Sequence, residues 1–244
     1  AKSKPDGYVL TLGNVGSLAL NDVLYANLTY SPERDFTIIS MTGQAPQVLV
    51  VEPKLPAKSL SEFVAYAKGT RGNLNYASPG VGIPPHMWAE IIRNKFGFEA
   101  QNVQYKSGSQ VIDAVTKGEV QWAFDVPLTV APQHNAGKLR ALAVTSPNRW
   151  STLPDVPTFA ELGYNDLVGV GWFALAGPAG LPQPIVAQLN AETQRWLAKE
   201  DVKQKLANIG FQPQFATAAE SSSFIAGERK KWVAIAKSLN IKVE

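Results

Sequence analysis

Short apolar runs alternate with longer stretches whose apolar residues recur every three or four positions. Read by period, the short runs predict strands at residues 9–12, 38–41, 47–51, 74–77, 103–105, 122–124, 141–145 and 171–176. The amphipathic stretches predict helices at 19–25, 60–68, 85–96, 110–117, 127–136, 159–162, 184–198, 200–209 and 218–239. Val111, Ile112 and Val115 share one helix face, as do Ile185, Leu189 and Trp196. The boundaries carry their own chemistry. Ser59 with Glu62 has the spacing of a capping box. Pro84 or Pro85 opens a helix, and Gly118 and Gly137 stand where helices end. Strands alternating with helices predict an α/β fold with a parallel or mostly parallel sheet.

The strand-to-helix junctions are the most informative part of this pattern. From Tyr76 to His86 the chain reads YASPGVGIPPH: a strand, a glycine-rich turn, and a helix opening at Pro84. Such a turn aims backbone N–H groups and a helix N-terminus at one point, which suits a carboxylate or phosphate. Related junctions follow at Gly13–Ser17, at Tyr105–Ser109 and at Asp125–Pro127. No Lys, Arg, Asp or Glu falls between Leu74 and Pro84, or between Gly13 and Ser17. Junctions of this kind in succession predict loops converging on one small-anion cleft at the C-terminal edges of parallel strands.

Composition narrows the function classes. The chain has 244 residues, 45% hydrophobic and 18% charged, with a net charge of +3. Its basic residues are scattered, and Arg229, Lys230 and Lys231 read as a solvated helix face, so no nucleic-acid footprint is evident. No apolar run reaches membrane-spanning length. There is no cysteine, which removes thiol chemistry and suits an oxidising compartment. The two histidines, His86 and His134, lack metal-ligand spacing; no metal or cofactor is expected. There is no Walker loop, nucleophile elbow or dinucleotide fingerprint. A Ser78–His86–Asp125 triple can be drawn, but a chain of this length offers such triples by chance, and no catalytic residue is assigned. The start, AKSKPDGYVLTLG, shows no signal peptide and reads as the middle of a domain. A preceding βαβ unit is expected to be missing, leaving an open edge beside the first strand.

Several stretches carry a family resemblance. PDGYVLTLGNVGSLALNDVLY, LNYASPGVGIPPHMWAE, VQYKSGSQVIDAVTKGEVQWAFDVPLTVAPQHNAGKLRALAVTS, RWSTLPDVPTFAELGY and GWFALAGPAGLPQPIVAQLNAE occur in order. They resemble the periplasmic solute-binding proteins of the tripartite tricarboxylate transporter (TctC, or Bug) family, almost end to end. The family's earlier strand and Pro-Gly-Gly loop have no counterpart here. The resemblance implies a type II periplasmic binding protein fold of two α/β domains. One would hold residues 1–45 with 172–244, the other 46–171, with crossings at 43–46 and 169–172. It implies a ligand cleft between them closed by a hinge. It also implies a periplasmic, monomeric receptor that takes a small carboxylate to the membrane subunits of a tripartite transporter. A ligand-sensing domain serving a signalling partner is the alternative; a hydrolase is the weaker one.

The predicted ligand-binding residues are Asn14, Gly16, Ser17, Ser78, Gly80, Gly82, His86, Tyr105, Ser107, Ser109, Asp125, Trp172 and Phe173. Most have an equally good structural use. The serines and Asp125 are good helix caps. His86 can be a packed histidine, and Trp172 and Phe173 core residues; Gly80 and Gly82 allow close backbone approach. The chain departs from the family where the loop usually repeats glycine, serine or threonine. Here Ile83 has no hydroxyl, and Pro84 and Pro85 have no N–H. That loss predicts a cleft less suited to citrate than to a ligand with an apolar or aromatic part.

Overall fold

The computed structural model describes residues 1–70, 73–239 and 241. The chain divides into two compact units, residues 1–44 with 171–244, and 45–170.

The second unit is a sheet flanked by helices. Its elements are β3 (Val48–Val51), α2 (Leu60–Gly69), β4 (Asn75–Ser78), α3 (Pro84–Phe96), β5 (Gln101–Gln104), α4 (Gly108–Lys117), β6 (Trp122–Asp125), α5 (Pro127–Asn135) and β7 (Arg140–Val144). The strand order is β5-β4-β6-β3-β7. β4 pairs in parallel with β5 and β6, while β3 is antiparallel to both β6 and β7. The sheet is therefore mostly parallel, with β3 the exception. It is the strand by which the chain enters this unit, so no crossover helix sets its direction.

Strand alternation sorts the core onto the two faces of this sheet. Trp122 and Phe124 of β6 share a face with Tyr76 of β4, and ring contacts link them to Phe63, Phe98, Trp88 and Phe159. Ala77 and Ala123 sit on the other face, in a buried cluster with Val111, Ile112 and Val115 of α4 and Val130 of α5. Small residues there let the helices lie close. This parity matters for the site: Asp125 is on the α4 face, Ser78 on the α3 face.

The first unit holds β1 (Thr11–Asn14), a π-helical turn (Gly16–Leu20), α1 (Asn21–Leu24), β2 (Phe36–Pro46), β8 (Val170–Pro178), α6 (Gln183–Leu197), α7 (Glu200–Asn208), β9 (Gln212–Pro213) and α8 (Ala218–Ser238). Its sheet runs β1-β8-β2-β9, with β1 antiparallel to β8 and β9 antiparallel to β2. β1 is an edge strand; Leu12 within it and Val9 just before it are exposed. Trp172 and Trp232 are fully buried, and both indole N–H groups donate to Glu228.

Three local expectations change. The helix predicted at 159–162 is a single turn, closed by Gly163 in a left-handed conformation (φ 88°). Ser59 caps α2 as expected, its Oγ accepting from the Glu62 N–H, but the Glu62 carboxylate accepts from the Lys58 N–H rather than from Ser59; the complete capping box is Thr217 with Glu220. Arg229 is not part of a solvated face: it forks onto Asp22 and donates to the Ala19 carbonyl, while Lys230 and Lys231 stay exposed.

Candidate functional site

Three loops leave the same edge of the second unit's sheet. β4 lies between β5 and β6 and parallel to both, so the loops after Ser78, Gln104 and Asp125 emerge side by side. Each feeds a helix of nine or more residues: α3 after Ile83, α4 after Ser107 and α5 after Val126. The first-turn N–H groups of a helix have no partner within it, and its N-terminus carries partial positive charge. At α3 and α5 a proline occupies the first turn and no side chain caps the end. At α4 Ser107 is the cap, its Oγ accepting from the Gln110 N–H at 3.3 Å.

The loop after β4 is held from beneath. Ser78 is fully buried, and its Oγ donates its one proton to Asn102 Oδ1 at 2.9 Å, with the Gly80 carbonyl 3.3 Å away. Gly82 has φ 80°, a conformation open to glycine. Its N–H donates to His86 Nδ1 at 3.3 Å. That bond requires the Nδ1 position to be unprotonated. Burial lowers the His86 pKa, which favours the same neutral form. His86 is thus the brace of the loop, and the Gly82 N–H is already engaged by it.

Beneath His86 lies an ionic network. The Tyr76 hydroxyl and Arg93 Nη1 both donate to Glu90, Tyr76 at 2.5 Å and Arg93 at 2.7 and 2.8 Å. Burial raises the Tyr76 pKa further above its ordinary value, so the phenol stays a donor. The network ties β4 to α3 and fixes the origin of the loop between them.

Asp125 ends β6 on the α4 face and is only 4% exposed. Its Oδ1 accepts the Val126 N–H at 2.8 Å, while its buried Oδ2 accepts no hydrogen bond from the described residues. Burial pushes its pKa up to about 6, against the opposing pull of the Val126 N–H and the Thr129 hydroxyl. Gly108, the first residue of α4, lies directly against it: a Cβ there would sit 2.4 Å from Asp125 Oδ2.

Of the predicted residues, Ser78, Gly80, Gly82, His86, Ser107, Ser109 and Asp125 are brought to this edge of the sheet. Tyr105 follows β5, but its hydroxyl reaches Glu119, beyond the far end of α4, at 3.5 Å. Its ring packs on the α4-side core instead. Asn14, Gly16, Ser17, Trp172 and Phe173 belong to the first unit. There Asn14 and Ser17 close a reciprocal turn, Asn14 N–H to Ser17 Oγ at 3.0 Å and Ser17 N–H to Asn14 Oδ1 at 3.2 Å. Gly16 begins the π-helical turn, close under Asn14 and Asn21. Trp172 is buried with its N–H on Glu228. Phe173 packs on Phe211 at 5.3 Å in an apolar cavity of about 570 Å³ that Leu12, Trp196 and Ile209 also line. His134 is a tether, its Nδ1 accepting from the Ala141 N–H at 3.2 Å. No group of three or more metal-ligating side chains occurs among the described residues, and none of their helices is long and apolar enough to cross a membrane.

Sequence reading missed Asn102, Gly108 and the Tyr76–Glu90–Arg93 network. The spacing of Glu90 and Arg93, three apart on one helix, is a readable signal. Asn102 and Gly108 act across strands, and only the register β4–β5 and the α4–β6 packing reveal them.

The model of the tripartite tricarboxylate transporter family receptor matches residues 1–241. The chain is 33% identical over 246 residues to protein BugT of Bordetella pertussis, an alignment spanning 100% of this chain and 75% of that protein. Among solved structures, an R. palustris protein with adipate is 29% identical at a TM-score of 0.91, covering 99% of this chain and 81% of that one. MatC from Rhodopseudomonas palustris, with bound malate, is 28% identical at a TM-score of 0.86, covering 96% and 80%.

Proposed function

Because the chain belongs to the tripartite tricarboxylate transporter family of receptors, we propose that it captures a small organic carboxylate in the periplasm and hands it to the membrane subunits of such a transporter. It is a binding receptor and not an enzyme. The carboxylate seats at the loops after β4, β5 and β6, with Ser78 and Gly80 shaping one wall and Ser107 and Ser109 another. The observation that carries this reading is the convergence of three helix N-termini at one edge of a parallel strand trio, beside a loop with no charged side chain from Leu74 to Pro84. Charge-assisted bonds from N–H groups hold an anion there. Each helix end adds about 0.3–1 kcal/mol where exposed and up to about 2 where partly buried.

The ligand is a monocarboxylate, or a long or aromatic dicarboxylate, rather than citrate. Proline at both the first and second positions of α3 removes donors on that side. A further carboxylate placed there loses hydration without replacement, which costs roughly 1–3 kcal/mol for a neutral group and more for a charged one. An apolar stretch gains about 25 cal/mol per Å² buried. Adipate and malate, the acids seen with the two structural relatives, are the first probes. The test is competition of citrate against adipate and benzoate. Adipate or benzoate is expected to win; tight citrate binding with neither of the others measurable overturns the selectivity argument.

A further inference from the structure

The N-terminus of α4 and the carboxyl of Asp125 form one electrostatic unit. α4 has ten residues, and its cap Ser107 is spent on the Gln110 N–H. That leaves the N–H groups of Gly108 and Ser109 as first-turn donors. Asp125 lies behind them, 4% exposed, with Oδ2 lacking any partner among the described residues. Because Gly108 has no side chain, Oδ2 can lie directly against the first residue of α4: a Cβ there would come within 2.4 Å of it.

Among the described residues no cation bonds to this carboxyl. β6 packs against β3, β4, α3 and α4. The titratable and charged groups on or beside those elements are Glu52, Tyr76, His86, Glu90, Arg93, Lys95, Lys106, Asp113 and Lys117. Tyr76, Glu90 and Arg93 are bonded to one another, His86 accepts from Gly82, and Lys95 pairs with Asp166. Among the described residues Lys106 and Lys117 make no hydrogen bond to Asp125, which accepts the Val126 N–H, while the nearby Thr129 hydroxyl donates to the Val126 carbonyl.

An anion at the N-terminus of α4 would therefore share that helix end with Asp125. Two carboxylates around one helix turn do not both stay ionised without a cation. The ligand keeps its hydrogen bonds to N–H groups, so Asp125 is the group that gives way. We propose that Asp125 takes a proton from solvent onto Oδ2 when a carboxylate seats at the N-terminus of α4, so that these loops bind the anion and a proton together. Asp125 is thus a positioning group for the helix end. The inference rests on the carboxylate reading above and adds the proton to it. Burial has already moved Asp125 most of the way, to about 6 in the free protein, and a neighbouring anion moves it further in the same direction.

The consequence is tighter binding at lower pH. Above the free-state pKa, affinity falls as pH rises, by at most about tenfold per pH unit for one linked proton. The test is calorimetric titration of the protein with adipate and with malate between pH 6.5 and 8.5, in buffers of different ionisation heat. Both acids are fully ionised there, so protons counted belong to the protein. The expected result is uptake of close to one proton and an affinity loss approaching about a hundredfold across those two pH units for one linked proton. Asp125→Asn, of the same shape, is expected to bind with no proton uptake and a flat pH profile. As an independent reading, a side-chain carboxyl carbon resonance of the wild-type protein should move to the protonated position when adipate is added. Binding without proton exchange, proton release, or uptake retained in Asp125→Asn each overturns the proposal. Absence of binding by both acids at every pH counts instead against the carboxylate reading itself.

Discussion

Replacing Gly108 with alanine should destabilise the second unit, against the usual direction for glycine in a helix. Gly→Ala in a helix ordinarily gains roughly 0.5–1 kcal/mol. Here the new Cβ falls 2.4 Å from Asp125 Oδ2, 3.0 Å from Oδ1 and 3.1 Å from Cγ. Asp125 is 4% exposed and cannot swing into water. Forcing it off its rotamer costs about 0.5–1.5 kcal/mol. Losing its bond to the Val126 N–H, made to a charged group, costs about 1.5–3 kcal/mol. The net expectation is a loss of roughly 1–4 kcal/mol, read as a lower urea midpoint at unchanged slope. Asp125→Ala removes the clashing atoms, so the double variant should recover most of what Gly108→Ala loses, a coupling of opposite sign to the single effects. A Gly108→Ala protein as stable as the parent, or more stable, would refute the contact and the burial argument built on it.

Other outcomes follow from the same geometry. The Asp125 pKa is raised in the fold from 3.8 to about 6, so its ionised form is a cost above pH 6 that is relieved as pH falls toward 4. Relative to Asp125→Asn, the parent should therefore gain up to about 3 kcal/mol on going from pH 7 to pH 4, measured by urea melts at each pH. His86 has the opposite sign: its folded pKa is lowered, so its contribution is present above about 6.5 and is lost as pH falls through the folded value. His86→Gln should flatten that acid loss. Arg93→Met leaves Glu90 with Tyr76 alone and should cost about 1.5–3 kcal/mol by denaturation, since the lost bonds join charged groups.

Much of the fold was legible because its signals are local. Pro84 and Pro127 mark the starts of α3 and α5, and left-handed Gly118 marks the end of α4. The uncharged loop from Ser78 to Ile83 was visible in composition alone. Direction was not: the residues of β3 look like those of the parallel strands β4 and β6, and its antiparallel pairing depends on where the chain enters the sheet. β2 was read as a strand at 38–41 with a separate one from 47, because Thr42, Gly43 and Gln44 interrupt the apolar run; sheet pairing carries the strand through them. β9 is two residues long, too short for any period to show. The site behaves the same way. Ser78, Ser107 and Asp125 were found because strand ends and helix caps attract such residues. The face each one occupies, and the bond from Gly82 to His86, follow from strand parity and helix packing. Ser78 was expected to cap or to donate to ligand; its hydroxyl is instead directed to Asn102, a partner on the adjacent strand.

The central claim is that a carboxylate binds against the backbone of the loop after β4. Gly80 is the position to change, because its φ of 153° suits glycine and an added Cβ would meet only Ile83 Cδ1, at 3.9 Å. A side chain there projects into open space and narrows the approach to the loop. The measurement is calorimetric titration of the parent and of Gly80→Val with adipate. The account predicts micromolar binding by the parent, about 8 kcal/mol, and a loss of tenfold or more, about 1.4 kcal/mol, in the variant. Equal affinity in the two proteins would contradict it.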